Sequence, residues 1–150
     1  KELAFAVIDT VILDTINEYW LQPRAAAERP LQTLIGIIEA HGSKVTQDVI
    51  AYGCPLNNLA QEMSPLDEGF RMRVDRIYVM WQQAIVRALE RGQRLQQVRH
   101  GINVRESALF VLAALEGSIG MAKSAQSVDV LMECSAGLIT YLESLARNPQ

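Results

Sequence analysis

The chain has 150 residues, 49% of them apolar and 21% charged, which is the make-up of one ordinary globular domain and excludes a disordered chain. A net charge of −3 weighs against unaided DNA binding, because phosphate contacts need a basic face, although a small basic patch stays open. The two cysteines, Cys54 and Cys134, stand far apart and form neither a disulfide framework nor a metal-ligand set, which fits a reducing cytoplasm.

From Lys1 to Leu21 there is no Gly or Pro. Phe5, Ile8, Ile12, Ile16 and Tyr19 recur at steps of three and four, which predicts one helical stripe. Leu3, Ala6, Leu13 and Trp20 lie off that stripe and predict cover on more than one side. Gln22-Pro23 is expected to end the helix. Glu2, Asp9, Asp14 and Glu18 rule out a secretory core here, and no uninterrupted apolar run approaches the roughly 20 residues of a membrane span. The chain opens abruptly inside a helical pattern, so residue 1 reads as a boundary rather than a biological start.

Pro30 suits the first turn of a second helix and Gly42 its C-terminal cap, with Leu31, Leu34, Ile35 and Ile38 between them. Gly53 allows a sharp turn, and Pro55 opens a short helix through Met63. Ser64-Pro65-Leu66-Asp67-Glu68 predicts the next start, with Ser64 as the cap and two acids at the positive end of the dipole. Phe70, Val74, Ile77, Trp81, Ile85 and Ala88 then mark a helix of roughly 27 residues, about 40 Å long, that Gly92 is expected to stop. Asn103 to Glu106 reads as a capping box before Ala108, Leu112, Leu115, Ile119 and Ala122. Ser127 starts a last helix carrying Leu131, Cys134, Leu138, Tyr141, Leu142 and Leu145. The expectation is a single all-α domain over 1–150, of about six helices and no strand.

Several chemistries find no support. His41 and His100 are the only histidines, and neither has partners at metal-ligand spacing. There is no nucleophile–base pattern, phosphate loop or carboxylate pair that names a reaction, so no enzyme, cofactor or metal is expected. Glu62, Asp67 and Glu68 read as surface and helix-start acids. The arginines from Arg71 to Arg105 read as a solvated face. Cys54, beside Pro55 at a helix start, has two readings: a packed apolar residue, or a thiol activated by the helix dipole that senses oxidants or electrophiles.

The last two helices set small residues among large ones: Ala113, Gly117 and Gly120 on one, Ala136 and Gly137 on the other. Both are apolar over a wide face, which a symmetric partner would cover as a four-helix bundle. Gly53-Cys54-Pro55-Leu56-Asn57-Asn58-Leu59-Ala60 with Glu62, then Trp81, then Arg105 through Leu115-Glu116-Gly117-Ser118-Ile119-Gly120 together resemble the C-terminal domain of TetR-family regulators, in a Gly-Cys-Pro-Leu subgroup. The opening Lys1-Glu2-Leu3-Ala4 is similar to the residues that follow that family's helix-turn-helix.

The resemblance implies a ligand-responsive transcriptional regulator of repressor type, without its DNA-binding head and so unable to hold an operator alone. It implies a pocket for a small, mostly apolar effector among the central helices, with Tyr52, Cys54, Asn58, Phe70, Ile77, Tyr78, Met80, Trp81 and Phe110 as candidates. It implies a homodimer through the last two helices, with Leu112, Leu115, Gly117, Ile119, Gly120, Leu138, Tyr141 and Leu142 at the interface. A thiol sensor centred on Cys54 and a helical enzyme with an unrecognised site are the rival readings.

Overall fold

The computed structural model describes residues 1–21 and 27–147. Among them the architecture is all-helical, with one isolated bridge between Val98 and Ala146 in place of any strand. Helix α1 spans 2–21 and winds in four consecutive pieces: α-helical Glu2–Val7, π-helical Ile8–Ile12, α-helical Leu13–Ile16 and π-helical Asn17–Leu21. Its buried stripe is Phe5, Ile8, Ile12, Ile16 and Trp20. Trp20 therefore lies on the stripe, contrary to expectation; the side chain of Tyr19 and the break at Gln22-Pro23 lie outside the described residues. The last four stripe residues repeat every fourth position, a spacing that would drift around a helix of 3.6 residues per turn. The two π segments, wound more slowly, absorb that drift and keep the stripe facing inward.

Helix α2 is Pro30–Lys44, α3 the short Gln47–Tyr52, α4 Pro55–Glu62, α5 Glu68–Arg94, α6 Val104–Ala125 and α7 Val128–Ser144. Thr46 caps α3, Asn103 caps α6 through the amides of Arg105 and Glu106, and Ser127 caps α7 through the amide of Val130. Gly53, with φ of +68°, makes the reversal between α3 and α4.

Three expected boundaries move. Gly42 does not cap α2; the helix runs on to Lys44, and the bare glycine lets Met132 of α7 come so close that an added Cβ would stand 3.1 Å from its sulfur. Gly92 does not stop α5, which continues to Arg94; it makes room for the returning loop, where Val98 is fully buried. Ser64 does not cap α5. Residues 63–66 finish α4 in a turn, and Asp67 accepts from the amides of Gly69 at 2.9 Å and Phe70 at 3.2 Å. An aspartate that satisfies two orphan amides outcompetes a serine three residues earlier.

Helix α5 is the central strut. It meets α1 and α2 on one side and α6 on the other, while α6 packs along α7 and α7 returns to α2. The core follows this arrangement from Ile8 and Ile16 through Trp81, Ile85 and Leu89 to Val111 and Leu142. Part of the arginine-rich stretch ties helices together: Arg73 and Arg76 both reach Asp9 of α1, at 3.0 Å and 2.7 Å. Helix α6 has the length and composition of a membrane span, against the expectation from uninterrupted runs, but it lies packed between α5 and α7 within this fold.

Candidate functional site

A cavity of about 260 Å³ opens between the second half of α1, the end of α2, the α3–α4 turn and the middle of α5. The walls come from the elements already described. The π-wound stripe of α1 supplies Ile12, Ile16 and Trp20; the Gly53 reversal presents Cys54 and Leu56; α5 contributes Trp81 from the centre of its buried face. His41 and Val45 close the α2 side, and Ile119 and Leu131 reach in from α6 and α7. A neighbouring hollow of about 330 Å³, lined by Ile37 and Lys44, shares Thr15, Trp20 and His41 with it and leads outward.

The lining is almost wholly apolar. Trp20 and Trp81 meet with ring centroids 4.9 Å apart at 44°, and the His41 ring lies 5.7 Å from that of Trp20. Burial holds the His41 pKa below its ordinary value, so this ring stays neutral around pH 7. Polar chemistry gathers behind one point of the wall. Cys54 Sγ donates to Glu116 Oε1 at 3.5 Å, and Asn57 Nδ2 donates to the Glu116 carbonyl at 3.3 Å. Glu116 is only 6% exposed, its Oε2 has no hydrogen-bond partner, and neither has Trp81 Nε1. Burial pushes the Glu116 carboxyl up to about 7. Tyr78, facing both Glu116 and Cys54, is raised by burial first and by those two neighbours after it.

The same geometry decides the chemistry of Cys54. The amides of Leu56 and Asn57 lower its pKa, as a helix start does, but burial and the Glu116 carboxylate outweigh them and push the thiol up to about 12. A thiol held protonated is a poor nucleophile, so the activated-thiol expectation loses its premise. No cluster of three or more His, Cys, Asp or Glu among the described residues could hold a metal ion.

Of the residues anticipated for a pocket, Cys54 and Trp81 line this cavity. Tyr78 stands behind it, against Glu116. Asn58 is engaged elsewhere, donating to the Tyr52 carbonyl and accepting from Lys123 at 3.0 Å. Ile77 is core, Met80 is half-buried away from the lining, and Phe70 packs edge-on against Phe5 near the start of α1. Tyr52 is 77% exposed. Phe110 lies on the outer face of α6, with its ring 4.7 Å from that of Tyr141.

Among residues anticipated for a dimer face, Leu112, Leu115, Leu138 and Leu142 are buried within the protomer, and Ile119 turns toward the cavity. Gly120 approaches Asn57, whereas Gly117 is open, and Tyr141 is half-buried. The outer face of α6 carries Leu109, Phe110 and Met121, all exposed, while Met132 of α7 lies over Gly42 of α2. A Cβ added at Gly117 or Gly137 would meet nothing within 4 Å.

Glu116, His41 and the α1 wall are absent from the residues expected to form a pocket. One signal did exist: Glu116 is the only charged residue between Glu106 and Lys123, a lone acid in an apolar helical run.

Comparison with known proteins places this geometry. A family model described as the Tetracyclin repressor-like, C-terminal domain matches residues 30–136. An uncharacterized HTH-type transcriptional regulator in the lacX 3' region of Lactococcus lactis subsp. lactis is 29% identical over 134 residues, 87% of this chain. The chain spans 65% of that relative's length. The crystal structure of a TetR transcriptional regulator from Chloroflexus aurantiacus J-10-FL superposes with a TM-score of 0.82 at 21% identity, covering 99% of this chain and 74% of that one. The regulatory protein TetR from Rhodobacter sphaeroides superposes with a TM-score of 0.74 at 20% identity, covering 91% and 71%.

Proposed function

Because the chain belongs to the Tetracyclin repressor-like C-terminal domain family, we propose that it is the effector-binding and dimerising part of a ligand-responsive transcriptional regulator. Contact with operator DNA is assigned to a helix-turn-helix portion of the whole regulator, of the kind that the name of the Lactococcus relative carries. The observation that supports the reading is the apolar cavity under Trp20 and Trp81, large enough for a small molecule and lined on one side by α1. An occupant that fits one placement of α1 better than another shifts the balance between the two, and whatever α1 carries moves with it. The outer face of α6 and α7, apolar and glycine-bearing, is assigned to the second copy. No catalytic role is assigned to any residue.

The test uses a Trp20→Phe background, so that Trp81 is the single fluorophore. Titration with the neutral apolar probe N-phenyl-1-naphthylamine is expected to quench Trp81 saturably and to raise the melting temperature, since a ligand held only by the folded state stabilises it. Replacing Ile16 by Phe, which fills the cavity from the α1 side without adding a second indole, is expected to abolish both effects. Probe binding that survives that change would place the site elsewhere.

A further inference from the structure

Glu116 is an incomplete ion pair. Its carboxyl is buried, one oxygen takes only the weak Cys54 thiol donor, and the other takes nothing. The titratable groups facing it are Cys54 from the α3–α4 turn and Tyr78 from α5. Both are weak acids and neither can supply a positive charge. None of the ion pairs among the described residues includes Glu116. A carboxylate in apolar surroundings needs a cation together with hydrogen bonds, and the protomer provides neither in full.

The cavity is where the missing group can come from. Cys54 touches the cavity with one side and Glu116 with the other. Ile119, one turn further along the same face of α6, lines the cavity itself. The carboxyl thus lies one small side chain behind the wall, and pairing with an occupant requires the Glu116 side chain to turn past the thiol. We propose, resting on the reading of this cavity as the effector site, that its occupant is a lipophilic amine: an apolar body carrying one protonated nitrogen that pairs with the Glu116 carboxylate. A neutral hydroxyl could satisfy an oxygen but would leave the charge uncompensated, and an anionic head would be repelled. Burial gives the arrangement a further property. The carboxyl is near half-protonated at neutral pH when the cavity is empty, so an arriving ammonium displaces a proton.

The experiment compares octylamine, octanol and octanoic acid, one tail with three heads, as displacers of N-phenyl-1-naphthylamine from the wild-type chain and from Glu116→Gln at pH 8. Octylamine is expected to bind about tenfold more tightly than octanol, with octanoic acid weakest. The Gln variant should bind octanol as before and lose the preference for the amine. In the wild type the affinity for octylamine should fall about tenfold from pH 8 to pH 6, as Glu116 takes up a proton while the amine stays charged. The wild-type preference for octylamine over octanol at pH 8, where His41 of the cavity wall is neutral, decides the matter even if the variant folds poorly. Equal or tighter binding of octanol, or an amine preference that persists in Glu116→Gln, overturns the proposal while the cavity reading stands. Failure of all three to displace the probe removes the cavity reading and the amine with it.

Discussion

Glu116 puts a pH-dependent cost into the folded protomer. Its carboxyl ionises near pH 4.5 in an unfolded chain and near 7 in the folded one. Folding therefore favours its protonated form, and stability is lost as pH rises from 4.5 through 7, by on the order of 3 kcal/mol once both states are ionised. Glu116→Gln should accordingly raise the urea midpoint at pH 8 and leave it nearly unchanged at pH 4.5. Equal midpoints for the two proteins at pH 8 would show that the carboxyl is solvated in solution. His41 has the opposite sense: its depressed pKa costs stability as pH falls below 6.5, so replacing it with Phe should flatten the acid side of the stability profile. Cys54, with a thiol near 12, should resist iodoacetamide at pH 8 in the native protein and react once urea exposes it. Mass spectrometry of the native reaction reads this directly, and rapid native alkylation would restore the activated-thiol reading.

Glycines divide by what the helices around them demand. At Gly92 an added methyl would stand 2.5 Å from a buried Val98 methyl, so Gly92→Ala should destabilise by about 1–3 kcal/mol. Gly36 lies inside α2 with nothing within 4 Å of its missing Cβ, so Gly36→Ala should stabilise by about 0.5–1 kcal/mol. Chemical denaturation of the pair is the check, and a common sign would mean that helix propensity rather than contact governs both. The contrast also shows what a single sequence can convey. The buried stripe of α5 and the caps at Asn103 and Ser127 were legible, because periodicity and capping are local properties. Gly42 and Gly92 read as helix ends because glycine usually is one; here Met132, distant in the chain, and Val98, folded back from the loop just after α5, make them interior. The cavity was half legible for the same reason. Trp81 and Cys54 announce themselves locally, whereas the α1 and α2 walls exist only because α1 winds in two π segments and docks on α5 through Asp9.

Taken whole, the chain leaves large apolar side chains exposed on α1, at Leu3, Val7 and Val11, as well as on α6. The large leucines of α6 and α7 serve its own core, and what remains outside is Leu109, Phe110 and Met121 beside bare Gly117 on α6, and bare Gly137 on α7. Large apolar side chains gathered on one exposed helix face mark an interaction surface. Two copies meeting there would bring backbones close at Gly117 and Gly137, as small residues permit. Light scattering should give twice the protomer mass at micromolar concentration, and Gly117→Arg should reduce it to the protomer while preserving the helical circular dichroism spectrum. A wild-type monomer under those conditions would leave the face without an assigned partner.

The contact between Trp20 and Trp81 has an optical consequence. Two indoles with centroids 4.9 Å apart and planes inclined at 44° cannot absorb independently. Their strong ultraviolet transitions mix, and because the pair is chirally disposed, the mixed states rotate polarised light with opposite sign. The protein should show a bisignate band superimposed on its helical spectrum, absent from Trp20→Phe and from Trp81→Phe alike. One indole belongs to α1 and the other to α5, so any molecule wedged between these helices changes the splitting. The fold thereby carries an intrinsic, label-free gauge of whether its cavity is filled.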